Sequence, residues 1–479
     1  MAPTNRVQSR RTRPRRYHDP PVWGTNGSTS KGIGVSLDAI FKAYDIRGIY
    51  PDELDEALAR KIGNAFVRFT GAGRVLVGRD MRPSSEPLAA AFTEGATLAG
   101  ADVTLLGLCS TDLVYFASGK LDAPAAMFTA SHNPAQYNGS KLCRAGAAPI
   151  GEQTGLAQIK ATVESGVIAR GEDQGKVDHV DLLAAFGEHV RSFVDTTALQ
   201  PLKVIADTAN GMGGLVVPKV FEGLPTDLTV LYGELDGTFP NHPADPIQVE
   251  NLKDLQRAVL DAGADVGLAF DGDADRVFLV DDQGQPVSGS TTTAIVAKGI
   301  LERHPGEAVV YNVICSKTVR EVILENGGRP VRSRVGHSFI KQVMAEENAI
   351  FGGEHSAHYY FRDNWRADSG SIAALMVLEQ LSLANTPLSE LRKPFERYAA
   401  SGEINTRVDD PQAVIQQVAE QYARCEQDWL DGLTVDCGEW WFNLRPSNTE
   451  PLLRLNLEAP DRASCEAHTQ EVLTLVRRP

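Results

Sequence analysis

The sequence predicts three successive α/β units followed by a smaller α+β unit. From about residue 37, short apolar runs alternate with segments of helical period, the rhythm of layered domains with mostly parallel strands. That rhythm restarts at Leu202 and again at Ala308, in units of roughly 100–150 residues. Near the C-terminus it gives way to apolar–polar alternation, as in a sheet with one wet face. A chain of 479 residues is also too long for one ordinary core.

The elements follow in order. Asp52, preceded by Pro51, is the expected N-cap of a helix carrying Leu54, Leu58, Ile62, Ala65 and Phe66 at helical spacing. A strand over Arg74 to Asp80, a helix over about 85–99 and a strand over Asp102 to Leu106 continue the first unit. Leu202 to Asp207 and Val266 to Phe270 are buried-strand patterns, each running into a turn. Ala308 to Tyr311 opens the third unit, which passes the Gly352-Gly353 turn and a helix over about 370–383. The last unit has a helix over about 411–425, strands at Trp440 to Leu444 and Leu453 to Glu458, and a helix over about 461–477. The expected boundaries are 36–190, 191–298, 299–395 and 396–479, after a basic, disordered tail over 1–35.

That tail holds six Arg and one Lys against one Asp, and has no apolar segment of the secretory kind. The whole chain carries a formal charge of −15, which disfavours nucleic acid and anionic membranes as partners. An anionic small molecule would therefore need a local cationic site. No stretch approaches the roughly 20 apolar residues of a membrane span. The six cysteines are scattered without a CxxC pair, which argues against structural zinc and a disulfide scaffold and fits a reducing cytoplasm.

Four stretches carry chemistry. In Asp271-Gly272-Asp273-Ala274-Asp275-Arg276, carboxylates at alternate positions lie between two apolar runs. Oxygen-only ligands suit Mg²⁺ or Ca²⁺ rather than zinc, and the EF-hand pattern fails because Arg276 and Asp282 stand where Gly and Glu are needed. In Thr129-Ala130-Ser131-His132-Asn133-Pro134, Ser131 follows a strand-like run and lacks the acyl-hydrolase elbow. Beside a divalent cation it could accept a phosphoryl group. Lys141, just beyond, is either an acid–base group or a charge clamp. In Gly353-Glu354-His355-Ser356-Ala357-His358, Glu354 and Ser356 suit adjacent sugar hydroxyls. In Arg445-Pro446-Ser447-Asn448-Thr449, a guanidinium, two hydroxyls and an amide suit a phosphate. Singly, each is also compatible with an ordinary polar turn. Their order, one to each unit, points to a shared cleft for a phosphosugar.

With these four loops present in order, the chain from about Leu37 resembles the α-D-phosphohexomutase family, nearest to bacterial phosphomannomutases and phosphoglucomutases. The resemblance implies four domains around a central cleft and a phosphoserine at Ser131. It implies Mg²⁺ on Asp271, Asp273, Asp275 and Ser131, with Arg276 near metal and phosphate. Arg47, Lys141, His132 and His358 are the implied catalytic group. Glu354, Ser356, Gly336 and His337 would read the sugar, while Arg445, Ser447, Asn448 and Thr449 would hold the phosphate that is not reacting. A hexose 1,6-bisphosphate is the implied intermediate and activator, and the protein is expected as a monomer or dimer.

Glu354 to His358, followed by Tyr359 to Asp363, resembles the mannose-directed members, so mannose phosphate is the expected substrate. A phosphoglucomutase or dual-specificity enzyme is the alternative. A metal-dependent sugar phosphatase would not need the Arg445 loop, and a non-catalytic sensor would not need Ser131 and the three Asp. Many relatives carry a basic residue soon after the first strand of the third unit. Here the stretch reads Asn312-Val313-Ile314-Cys315-Ser316-Lys317, which leaves Lys317 as the candidate substitute.

Overall fold

The computed structural model describes residues 36–447 and 452–477. The basic tail and the loop residues 448–451, among them Asn448 and Thr449, lie outside the described residues.

Four sheets form. Across the first, the strands run Ile46–Ile49, Tyr137–Cys143, Ala125–Phe128, Arg74–Arg79, Asp102–Leu108 and Val177–His179. Its last four strands are parallel, and Tyr137–Cys143 is antiparallel to both neighbours. The second orders Pro286–Val287, Val277–Asp281, Val266–Phe270, Lys203–Asp207 and Asp227–Leu231. The third orders Arg329–Ser333, Ala308–Asn312, Phe351–Gly353, Tyr359–Phe361 and Ala367–Asp368. The fourth is antiparallel, with Leu452–Ala459 paired to Trp441–Pro446 on one side and to Ala399–Ala400 and Ile404–Arg407 on the other.

In the first three units the chemistry-bearing loop leaves the C-terminal end of a strand: Ala125–Phe128, Val266–Phe270 and Phe351–Gly353. Every residue of these strands is buried, which is why Ala125–Phe128 and Val266–Phe270 read as continuous apolar runs; the expected Gly352-Gly353 turn is corrected, since both glycines lie in the paired strand Phe351–Gly353 and the turn comes after them. Open α/β sheets bind ligands at this edge, where the strand stops and the backbone turns.

One cluster of buried apolar residues runs through the first three units, from Leu76 to Phe395. The fourth unit has a separate cluster, from Ile415 to Val476. Helices Glu56–Thr70 and Ser85–Leu98 approach closely because a side chain at Gly95 would put its Cβ 1.9 Å from the Arg60 carbonyl oxygen.

Two further expectations are corrected. The N-cap of Glu56–Thr70 is Asp55, whose carboxylate accepts from Leu58 N at 2.8 Å; Asp52 lies in the preceding turn. Cys425 and Cys437 form a disulfide, because the antiparallel strands Glu426–Asp428 and Leu433–Asp436 pair Glu426 with Asp436 and so set the flanking cysteines side by side, with Cα atoms 4.9 Å apart. The other four cysteines are free and buried. Among the described residues, no helix is long and apolar enough to cross a membrane.

Candidate active site

Ser131 sits at φ 51, a left-handed conformation unusual for a serine, with its amide held by Thr129 Oγ1 at 2.9 Å. Its Oγ donates to Asp271 Oδ2 at 2.7 Å and accepts from Arg276 Nη2 at 3.1 Å. The two loops touch through their backbones: a Cβ at Gly272 would fall 2.4 Å from the Ser131 carbonyl oxygen. That contact is the physical reason for glycine between the first two acids.

Arg82, which the sequence reading passed over, fixes the serine loop from below. Its Nη2 donates to the carbonyls of Ser131 (2.8 Å) and Asn133 (2.6 Å), and its Nη1 to those of Pro134 (2.8 Å) and Tyr137 (3.0 Å). Its Nε pairs with Asp80 at 3.2 Å, and neither side chain is exposed. The available signal was the short polar run after the strand Arg74–Arg79, a place where loops at a sheet edge carry function.

Asp271, Asp273 and Asp275 are buried, and one oxygen from each lies within 4.8 Å of the others. Lys141 Nζ donates to Asp273 Oδ2 at 2.7 Å and Asp275 Oδ2 at 2.5 Å, while Thr111 holds the main chain and the carboxylate of Asp273. Asp273 Oδ1 and Asp275 Oδ1 are buried with no hydrogen-bond partner among the described residues. Unpartnered carboxylate oxygens in an all-oxygen set fit a hard divalent cation, so the triad can hold a metal ion.

Burial pushes the Asp271 carboxyl up to about 7, against the pull of the Arg276 guanidinium. Burial also acts to raise Asp273, but Lys141 outweighs it and holds that group well below the usual carboxylate range. Lys141 is driven well above its ordinary value: burial opposes this, and the charges of Asp273 and Asp275 overcome it. It is therefore a firmly charged clamp at neutral pH. His132 is pushed well down by burial and then by Arg276; at His358 burial also wins, against the upward pull of Asp275, with Arg276 adding to the lowering, so both imidazoles favour the neutral form at neutral pH.

His132 Nδ1 lies against Arg276 Nη2 and 3.3 Å from Ser131 Oγ. His358, on the third unit's loop, faces the acidic loop, where it forms a backbone bridge with Arg276. Its Nε2 is 3.8 Å from Asp275 Oδ1, its Nδ1 is 3.6 Å from Glu354 Oε2, and Ser356 Oγ is 3.2 Å from Nδ1. Arg47, on the strand beside the serine loop, pairs with Asp45 and donates to Asn133 Oδ1.

Glu354 accepts from Asn312 Nδ2 (3.1 Å), Gly336 N (3.0 Å) and Tyr360 Oη (2.7 Å). The Gly336-His337 turn is thereby tied to it, and burial lowers His337 to about 3. Tyr44, another residue missed from sequence, touches the same turn: its Oη donates to the Val335 carbonyl at 3.2 Å, and its ring centroid is 5.2 Å from that of His337. Its signal was its place three residues before Arg47.

Lys317 does not supply the basic group expected in the third unit. Its Nζ crosses to the fourth unit, to Asp436 and the Gly438 carbonyl (2.8 Å), because the helix Lys317–Glu325 starts there facing that sheet. Asn312 instead gives its amide to Glu354. Arg445 Nη2 donates to Glu403 Oε2 at 2.8 Å, and Arg454, directly opposite Arg445 across the strands, lies 3.4 Å from Glu403 Oε1. The structure places Arg445, Pro446 and Ser447 at the end of a strand, while Asn448 and Thr449 lie outside the described residues.

Four family models match: phosphoglucomutase/phosphomannomutase alpha/beta/alpha domain I over 38–167, domain II over 183–284, domain III over 288–398, and the C-terminal domain over 403–475. A curated relative from Xanthomonas campestris pv. campestris, named "Phosphohexose mutases", is 42% identical over 442 residues, covering 91% of this chain and 99% of the relative. A phosphomannomutase of Escherichia coli K12 is 39% identical over 448 residues, covering 91% and 98%. The crystal structure of a phosphoglucomutase/phosphomannomutase family protein from Burkholderia thailandensis superposes with a TM-score of 0.84 at 31% identity, covering 92% of this chain and 98% of that one.

Proposed function

The chain belongs to the phosphoglucomutase/phosphomannomutase family, and on that premise we propose that it interconverts mannose 6-phosphate and mannose 1-phosphate by passing a phosphoryl group through Ser131. It is an isomerase that moves phosphate within a hexose. The observation that carries the role of Ser131 is its 2.7 Å hydrogen bond to Asp271 of the acidic triad, with Arg276 on the same oxygen.

Phosphorylated Ser131 gives its phosphoryl group to the free hydroxyl of a hexose monophosphate. The Oγ–P bond breaks and a sugar O–P bond forms, producing a hexose 1,6-bisphosphate. The bisphosphate turns end for end, and its other phosphate returns to Ser131, releasing the isomeric monophosphate. Lys141 and Arg276, both permanently charged, face the oxygens on which negative charge is carried during transfer. Neutral His358 takes the proton of the attacking hydroxyl, while His132 supports Ser131. Arg47 is positioned by Asp45 and Asn133 at the rim of the serine loop. Mg²⁺ held by Asp271, Asp273, Asp275 and a phosphoryl oxygen on Ser131 would supply positive charge that shields the transferring group.

Glu354 and Ser356 read adjacent sugar hydroxyls, with Gly336 and His337 beside them, tied to Glu354 through the Gly336 amide. Oε1 of Glu354 already accepts from Asn312 and Gly336, whereas Oε2 accepts only from Tyr360 and keeps room for a sugar hydroxyl. Arg445, Ser447, Asn448 and Thr449 hold the phosphate that is not reacting. The test is kcat/KM for mannose 1-phosphate against glucose 1-phosphate, with Mg²⁺ and a trace of hexose 1,6-bisphosphate. A clear mannose preference is expected. Equal values would make the enzyme dual-specific, and turnover of glucose phosphate alone would overturn the proposal.

A further inference from the structure

Arg445 and Arg454 are direct cross-strand neighbours, on Trp441–Pro446 and Leu452–Ala459. Like charges in that position repel and destabilise the pair. The third strand, Ile404–Arg407, pairs Asn405 with Arg454 and so carries Glu403 to the same place. Glu403 offers one oxygen to each guanidinium, at 2.8 Å from Arg445 Nη2 and 3.4 Å from Arg454 Nη1. Two oxygens of one anion bridging two guanidinium groups is also how a phosphate is held.

The bridge is open to exchange. Glu403 and Arg454 are 30% and 32% exposed, and Arg445 is 11% exposed. Gly402, immediately before Glu403, has φ 69 and open space where a side chain would project, so the backbone can carry the carboxylate aside. Nε of each arginine is buried without a hydrogen-bond partner among the described residues, so the carboxylate does not exhaust their donors.

We propose that Glu403 stands in for the substrate's non-reacting phosphate, neutralising Arg445 and Arg454 until that phosphate exchanges with it, and thereby weakens the hold on the sugar phosphate. This rests on the reading of Arg445 as a phosphate holder. A carboxylate that must be displaced lowers net affinity, which suits an intermediate that has to leave this loop and turn around. Glu403 acts through the two arginines and is a positioning residue.

The probe is inorganic phosphate, titrated calorimetrically into the full chain. Glu403→Gln is expected to tighten phosphate binding about twofold to fivefold, the factor that matches a partly exposed ion pair. KM for mannose 1-phosphate should fall by a similar factor. Arg445→Ala should weaken phosphate binding, and in the Glu403→Gln/Arg445→Ala double variant the tightening should vanish. Should the Gln variant fail to fold, Glu403→Ala takes its place with the same expected sign. Unchanged or weaker binding in the Glu403 variant, with Arg445→Ala still weakening it, would overturn the proposal and show that Glu403 merely aligns Arg445. Unchanged binding in Arg445→Ala would instead overturn the phosphate-loop reading itself.

Discussion

Around Ser131 the charges are sealed. Asp271 and Asp273 have no exposed side-chain area, Arg276 has 5%, and each is held by groups from another loop. Around Arg445 the charges lie nearer to water, and the fourth unit has its own apolar core. It meets the third unit through contacts such as Lys317 to Asp436, Val335 N to Asp431 and Arg332 to Asp428. The two regions ask different things of a phosphate. At the serine the oxygens must be met by groups that do not reorganise during transfer. At the far loop the phosphate has to be caught and let go in every turnover, and exchangeable ion pairs permit that.

Substitutions should divide along the same line. Ser131→Ala removes the phosphoryl carrier and should lower kcat by about a thousandfold or more, with circular dichroism unchanged. Retention of a tenth of the activity would break the comparison at its rigid end. Lys141→Met leaves Asp273 and Asp275 without their cation and should cost roughly a hundredfold or more in kcat, read at saturating substrate. Arg82→Met strands buried Asp80 and frees the carbonyls of the serine loop. Loss of about 3–5 kcal/mol in urea unfolding should accompany its fall in kcat. Arg445→Ala should act mainly on KM, raising it about tenfold. Lys317→Met, at a partly exposed contact, should cost under about 1 kcal/mol and leave kcat within about twofold. A large kcat loss there would mean that the two units meet more rigidly than their ion pairs indicate.

Sequence reading reached furthest where chemistry is written locally. Asp271 to Arg276 and Thr129 to Pro134 are short runs at strand ends, so both the strand and the loop could be read from the same dozen residues. The polar run after Arg74–Arg79 marks a loop, but not the role of Arg82 in it, because its partners, Ser131 and Asn133, lie 49 and 51 residues away and are main-chain oxygens that no composition marks. Glu403 was missed for a related reason. Its bearing on Arg445 depends on strand register, which brings together residues 42 apart. Asp52 and Asp55 are equally good caps by residue type, and only the helix start decides between them. The disulfide depends on the register of Glu426–Asp428 against Leu433–Asp436, which pairs Glu426 with Asp436 and so brings Cys425 beside Cys437.

The most direct test follows the phosphoryl group itself. The purified chain, incubated with mannose 1,6-bisphosphate and Mg²⁺ and then digested, should carry one phosphoryl group on the peptide containing Ser131. Added mannose 1-phosphate should strip it, with mannose 1,6-bisphosphate appearing in equal amount. Phosphorylation on any other residue, or a turnover-competent chain that never labels at Ser131, would contradict the account.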